Sequence, residues 1–325
     1  MRLALIGYGN AGRAFARLVK RKRGEFPFLI VGIHTARHGT AYDAAGIPLD
    51  PVFGPAAKSI DEFLDRAESD AVVEITTLNP ATGEPAISHI RAAFARRRHV
   101  ITANKGPIAH AYSDLAEEAQ GAGVQFRFES TVMDGVPVFN MVRNNLPGVK
   151  ILGFAGALNS TSKVVIAAMR EGKSMQHGIN AARRLGITEA DSSYDIDGWD
   201  SAAKSAALAN VFLDARITPL SVDRRGIGRL TTERVRELAR SRKTVSLISR
   251  AHVGSAGIKV RVRAEVLDDT DPLAAFTGTS NLLVIHTDLM GSIAAAGIDC
   301  GVEQTAYGLF SDAVDIARGS AILRP

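Results

Sequence analysis

The sequence predicts an α/β fold, a mostly parallel sheet covered by helices, followed by a second domain of α+β texture. Three observations carry this. Short β-branched runs alternate with helical patterns through the first third of the chain, a glycine-rich turn joins the first run to the first helix, and the pattern changes near residue 150. At 325 residues the chain has room for a large core and for two domains.

Taken in order, "RLALIG" reads as the first strand, "NAGRAFARLVKRK" as the helix after it, and "FLIVGIH" as the next strand. "SIDEFLDRA" is a helix opened by a capping box of Ser59 and Glu62. "AVVEIT", "HVITA" and "VQFRFES" continue the sheet, separated by the helices "EPAISHIRAAFARRR" and "YSDLAEEAQ". Beyond residue 150, "ILGFAGAL" reads as a strand, and helices over 161–171 and 174–185 stop at Gly172 and Gly186. "WDSAAKSAALANVFL" is a small-residue helix suited to close packing. "TVSLISRAHV" and "IKVRVRAEVL" alternate as an antiparallel pair joined by the turn "GSAG".

Composition excludes several classes. With 46% hydrophobic and 22% charged residues the chain is an ordinary globular protein, and it has no apolar run long enough to span a membrane. The short apolar start, "MRLALIGYGN", runs into glycines rather than a cleavage site and reads as a strand, not a signal peptide. The single cysteine, Cys300, excludes an internal disulfide framework; a buried, inert thiol in a cytoplasmic protein is expected. The net charge of +5 arises partly from "RLVKRKR" and "RRRH", which lie at helix ends without interleaved aromatics. No nucleic-acid partner is expected from them.

"GYGNAG" places Gly7, Gly9 and Gly12 in G-x-G-x-x-G spacing between a strand and a helix. In that context the glycines allow a tight turn and let a pyrophosphate reach the helix N-terminus, the Rossmann-type arrangement. NAD-preferring sites place an acid near the end of the next strand. Here that segment, "GIHTARHG", has His34, Arg37 and His38 and no acid, which favours the 2′-phosphate of NADP, with NAD still possible and Arg13 able to assist.

A second stretch, "EADSSYDIDGWDSAAK", gathers Glu189, Asp191, Asp195, Asp197 and Asp200 ahead of Lys204. Asp200 and Lys204 stand at i and i+4 of one helix, share a face and can hydrogen-bond.

These segments resemble homoserine dehydrogenase. "GYGNAGRAF" is similar to that family's nucleotide loop, "VVEITTLNPATGEPA" to the segment after a later strand, "ITANKGPIA" to its T-A-N-K element, "FESTVMDGVPV" to the stretch entering its oligomer interface, and "ALNSTSKVVIAAM" to its N-G-T-T-N substrate loop. "GITEADSSYDIDGWDSAAKSAALA" resembles its catalytic signature, and "DPLAAFTGTSNLLVI" and "EQTAYGLFSDAV" its closing strands and return helix. The resemblance spans nearly the whole chain, and no segment like the family's regulatory tail is expected.

The resemblance implies an NADP(H)-dependent oxidoreductase that interconverts L-homoserine and L-aspartate 4-semialdehyde, in threonine and methionine biosynthesis. Lys204, Lys105 and Asp200 would be catalytic, with Lys204 exchanging a proton with the substrate oxygen. Glu189 and Asp195 would hold the substrate amino group or support its pocket, and Asn159, Ser160 and Thr161 would contact the substrate backbone. The cofactor would meet Gly7, Gly9, Asn10, Ala11, Gly12, Arg37, Thr76, Thr77, Asn104, Lys105 and Thr305. A sodium or potassium ion would sit on the backbone of Glu129, Val132, Asp134 and Val136. A homodimer is implied. The expected division is a dinucleotide-binding domain at 1–128 and 304–325, a dimerisation region at 129–138 and 252–303 forming a sheet between subunits, and a catalytic region at 139–251.

The chain also departs from the pattern. N-G-T-T-N becomes N-S-T-S-K, so Ser160 enters the substrate loop with Lys163, whose charge is expected to meet a carboxylate, and "DCGVEQTA" puts Glu303 where the phosphates or nicotinamide would lie. These changes keep two other readings open: a related enzyme for a different small hydroxy or amino acid, and a non-catalytic NADP-binding regulator. Aspartate-semialdehyde dehydrogenase is excluded, because it needs a mid-chain cysteine nucleophile and Cys300 lies near the C-terminus.

Overall fold

The structure, a computed structural model, describes residues 1–188 and 191–319. It divides into two compact units, Met1–Asn145 with the chain from Gly301 onward, and Leu146–Cys300.

The first unit holds β1 (Arg2–Ile6), β2 (Leu29–Thr35), β3 (Gly39–Tyr42), β4 (Ala71–Glu74), β5 (His99–Thr102) and β6 (Phe126–Arg127) in the order β3-β2-β1-β4-β5-β6. All neighbours are parallel except β2 and β3, an antiparallel hairpin absent from the sequence reading. Helices α1 (Asn10–Lys22), α2 (Ile60–Ala67), α3 (Ala86–Ala95), α4 (Lys105–Ala122) and α5 (Val138–Asn145) connect and follow the strands. The strand order reverses between β1 and β4, which opens a crevice at their carboxyl ends. β1 is apolar through four consecutive buried residues, as a central parallel strand must be.

Several local devices differ from expectation. Ser59 caps α2 by accepting from the Glu62 N–H, but the Glu62 carboxylate accepts from Lys58, one residue earlier than the reciprocal capping bond. Helix α4 begins at Lys105, well before "YSDLAEEAQ". Its first turn contains Gly106 and Pro107, which look like a loop, yet proline is tolerated there and Asn104 caps the turn. A kink at Ala111 separates this turn from the regular stretch that the sequence reveals.

Residues 129–138 form no strand. Glu129–Thr131 is a 3₁₀ turn of the first unit, and the Glu129 carboxylate accepts from the Phe139 and Asn140 N–H groups at the start of α5. Donors at a helix start need an acceptor, and this buried acid supplies one. That is why the segment turns instead of extending into a sheet.

The second unit contains β7 (Ile151–Ala157), β8 (Asp223–Arg225), β9 (Lys243–Gly254), β10 (Gly257–Asp268), β11 (Asn281–Thr287) and β12 (Ser292–Gly297), ordered β12-β11-β7-β9-β10-β8. β9 and β10 form the expected hairpin across twelve residue pairs. The helices are α6 (Ser160–Arg170), α7 (Met175–Arg184), α8 (Ser193–Ile196), α9 (Trp199–Leu213) and α10 (Thr232–Arg240). The sheet mixes strands from both 139–251 and 252–303, so those stretches share one core rather than forming separate regions. Small residues let α9 lie deep, with Ala202, Ala206, Leu208 and Ala209 fully buried. The last helix, α11 (Val302–Ala317), returns to the first unit and packs Leu309 and Phe310 into a core with Phe15 and Phe28.

Candidate active site

In the first unit, the turn after β1 uses its glycines for different physical reasons. Gly7 has φ +106°, and a Cβ there would lie 2.5 Å from the Ile75 carbonyl oxygen, so both conformation and space demand glycine. A Cβ on Gly12 would press on Ile75 at 3.0 Å, which marks close helix–strand packing. Gly9 faces open space, no side chain caps α1, and its first turn holds no acid. The N-terminal donors of α1 are thus approachable by an anion. Asn10 and Ala11 are the first residues of that turn.

A cleft of about 530 Å³ opens beside this turn and brings together Gly7, Gly9, Arg37, Thr76, Thr77 and His89. Its size suits part of a dinucleotide. The hairpin between β2 and β3 is held by Thr35, whose hydroxyl accepts from the His38 N–H and donates to the Gly39 carbonyl, so Arg37 stands at the hairpin tip. His34, in the same wall, is pushed below the ordinary histidine range by burial and by His89. Asn104 donates to the Thr76 carbonyl at 3.4 Å and ties the T-A-N-K turn to the cleft wall, with Lys105 next as the first residue of α4. Thr305 donates to the Asp134 carboxylate at 2.9 Å in the first turn of α11. Glu303, in the first turn of α11, is paired with Arg17 at 2.8 Å.

In the expected cation segment, the Val136 carbonyl already accepts from the Val138 N–H, and the Glu129 and Asp134 carboxylates are engaged as above. Among the described residues no group of three or more His, Cys, Asp or Glu side chains is placed to hold a metal ion.

The acidic stretch lies in the second unit and divides by direction. Asp191 and Asp197 are exposed, and Asp191 caps the Ser193 N–H. Asp195 and Asp200 turn inward; Glu189 lies outside the described residues. Asn159 organises the two inward acids: its amide donates to Asp195 at 2.7 Å and to Asp200 at 3.0 Å, while its carbonyl oxygen accepts from the Ser162 N–H and caps α6. Asp195 also accepts from Thr161 and Thr188. With three protein donors, Asp195 fastens the loop, and the Asn159 and Thr161 side chains serve this internal network. Ser160 is the half-buried first residue of α6.

Lys204 sits as its spacing predicts. Its ammonium lies 3.2 Å from Asp200 and donates to the Leu158 carbonyl at 2.7 Å, with both side chains mostly buried. A carboxylate and a carbonyl therefore aim one cationic group. Tyr194 is pushed above the usual phenol range by burial and by Asp200 and Asp195, which keeps it a neutral hydroxyl beside them.

Lys163 does not reach out for a substrate carboxylate. It is 7% exposed, and its ammonium is spent on the Ala157 and Ser280 carbonyls and the Asn281 side chain. The sequence reading missed His89, Tyr194 and Thr188. A histidine on the helix after β4 and a tyrosine within the acidic stretch were the available signals. Glu74 was missed too: fully buried at the end of β4, it accepts from Thr76 and Thr102 and props the cleft wall.

Comparison with known proteins covers residues of both units. Residues 137–314 match the family model of homoserine dehydrogenase, and residues 7–129 match that of the homoserine dehydrogenase NAD-binding domain. The chain is 33% identical to an NAD(+)-dependent homoserine dehydrogenase of Pseudomonas canavaninivorans, over 97% of this chain and 96% of that one. It is 32% identical to a homoserine dehydrogenase of Methanocaldococcus jannaschii, over 97% and 98%. Among solved structures, a hyperthermophilic archaeal homoserine dehydrogenase in complex with NADPH superposes with a TM-score of 0.84 at 26% identity, covering 99% of each chain. A homoserine dehydrogenase from Thiobacillus denitrificans gives 0.83 at 27% identity, covering 98% of this chain and 73% of that one.

Proposed function

The chain belongs to the homoserine dehydrogenase family, and from that premise we propose that it interconverts L-homoserine and L-aspartate 4-semialdehyde with NADP(H). The observation that carries the reading is the Lys204 ammonium held between Asp200 and the Leu158 carbonyl. When bound, the nicotinamide supplies the hydride acceptor or donor. Lys204, as the neutral amine, takes the hydroxyl proton as the alcohol is oxidised and becomes the ammonium; in the reverse direction the ammonium returns the proton to the aldehyde oxygen. Asp200 orients that ammonium, and Lys105 is assigned as a second proton-handling lysine. Glu189 is assigned to the substrate amino group, with Asp195 as the support of its pocket.

The cofactor residues present fit a dinucleotide: an open helix N-terminus at Gly9, a cleft lined by Thr76 and Thr77, and Arg37 at the hairpin tip with no acid ending β2. That last feature supports NADP over NAD. Arg37→Ala is expected to weaken NADPH binding by about 10- to 100-fold, a charge-assisted hydrogen-bond loss, while NADH affinity stays within about two-fold. Fluorescence titration of both reduced cofactors checks this.

Two further elements belong to the proposal. A monovalent cation would use the backbone carbonyls of Glu129, Val132, Asp134 and Val136, the last through the lone pair that the Val138 N–H leaves open. A homodimer would use the sheet of the second unit, where Lys259 and Arg261 alternate outward against the buried Val260 and Val262. Light scattering should then give twice 34.5 kDa. The central test is homoserine-dependent reduction of NADP at alkaline pH by the purified protein; no reduction of either nicotinamide cofactor overturns the assignment.

A further inference from the structure

The penultimate residue of β2 is a histidine where a dinucleotide fold often carries an acid, and the bonds around it fix its chemistry. His34 lies opposite Ile6 in the sheet, its carbonyl accepts from the Gly7 N–H at 2.8 Å, and its side chain lines the cleft beside the glycine turn. From that place the end of the second strand reads the 2′ position of the adenosine ribose. The His34 Nδ1 lies 3.1 Å from the Thr40 hydroxyl. Thr40 is 4% exposed, and its hydroxyl oxygen already accepts from the Ala57 N–H at 3.0 Å. The hydroxyl has one proton to give, and among the described residues its only other bond is the one to Nδ1. Were Nδ1 protonated, the oxygen would accept twice and its own buried proton would go unmatched. Nδ1 is therefore the acceptor, and the neutral ring carries its proton on Nε2. That nitrogen has no protein partner among the described residues and stands open to the cleft.

We infer that His34 is a specificity-determining residue that presents a neutral N–H to the 2′ oxygen of the cofactor ribose, so that the cleft admits both NADP and NAD and leaves the main discrimination to Arg37. An acid at this place accepts from a ribose hydroxyl and repels a 2′-phosphate, whereas an imidazolium draws the phosphate in. A neutral donor serves either oxygen, with a moderately larger gain from the charged one. The groups around the ring agree with a histidine that stays neutral. Phe63 on α2 stacks against it at 5.3 Å between centroids, His89 on α3 faces it, and Arg37 and His38 stand at the hairpin tip in the same wall. Burial, and then His89, push His34 below the ordinary histidine range, in the same direction as the Thr40 bond.

The inference rests on the cofactor reading above, and its test has one arm that needs no cofactor. Long-range ¹H–¹⁵N NMR of the histidine rings in the wild-type protein near neutral pH should show the His34 proton on Nε2 and a bare Nδ1. A protonated Nδ1 overturns the neutral donor whatever the cofactor does. In the second arm, NADPH and NADH are titrated by fluorescence against wild type, His34→Gln, His34→Leu and His34→Asp. If wild type binds neither, the cofactor reading falls first. Glutamine keeps an N–H near the place of Nε2 and should hold both affinities within about threefold. Leucine should weaken NADH by about fivefold and NADPH by about tenfold. Aspartate should keep NADH within about threefold of wild type and weaken NADPH by about 100-fold, as like charges repel. A leucine variant that binds NADH as wild type does, or an aspartate variant that still binds NADPH normally, overturns the contact. Should the variants misfold, the His34 ring signals of wild type decide: a shift on adding NADH supports the contact, and none refutes it.

Discussion

Lys204→Met should lower the rate of homoserine oxidation by about 10²- to 10⁴-fold while NADPH binding stays within about two-fold. The methionine keeps the unbranched apolar stem of the side chain but has no amine to exchange a proton. Asp200, 12% exposed at its side chain, loses this cation and keeps the Asn159 amide. Lys204 lies in the second unit and the glycine turn in the first. Steady-state kinetics together with a fluorescence titration of NADPH check both halves. A variant that bound cofactor normally and retained full turnover would remove Lys204 from the chemistry and shift attention to Lys105.

Asn159→Asp should be nearly as damaging for an electrostatic reason alone. The aspartate preserves the shape and the capping oxygen of α6, since the wild-type side chain accepts from the Ser162 N–H at 2.7 Å. What changes is the other end. The amide that donates to Asp195 at 2.7 Å and Asp200 at 3.0 Å becomes a third carboxylate against two. Juxtaposed like charges in such a place cost several kcal/mol, so the melting midpoint should fall by on the order of 10 °C near neutral pH, with activity lost. The sign with pH is specific. Crowded carboxylates have folded-state pKa values above their unfolded ones, so the variant regains stability as pH falls and loses it as pH rises. Melting curves between pH 5 and 8 should show the deficit against wild type narrowing toward the acid end.

Much of this arrangement was legible in the sequence because it rests on local rules. The glycine spacing of 7, 9 and 12 after an apolar strand, and the i, i+4 pair of Asp200 and Lys204, are short-range patterns that the chain obeys with little help from distant contacts. The illegible parts depend on long-range partners. Five acids in one stretch looked like a single cradle, but two of them face outward and Asp195 is saturated by Asn159, Thr161 and Thr188, residues up to 36 positions away. Lys163 looked like a substrate contact because its acceptors at 280 and 281 are invisible from the loop that carries it. The segment 129–138 was expected in a sheet on the family resemblance, and the bonds that the Glu129 carboxylate accepts from the start of α5 hold it as a turn instead. The short β3 offers four residues and no alternation, too little for periodicity to register.

The proposed chemistry stands on Lys204 meeting the alcohol oxygen of the substrate. A crystal structure of the protein with NADP and homoserine bound tests this most directly. The account predicts the homoserine hydroxyl within about 3 Å of the Lys204 amine, with the substrate ammonium turned toward the acidic side of the pocket. A bound homoserine whose hydroxyl is held elsewhere, with Lys204 still locked onto Asp200 and the Leu158 carbonyl and out of reach, would contradict it.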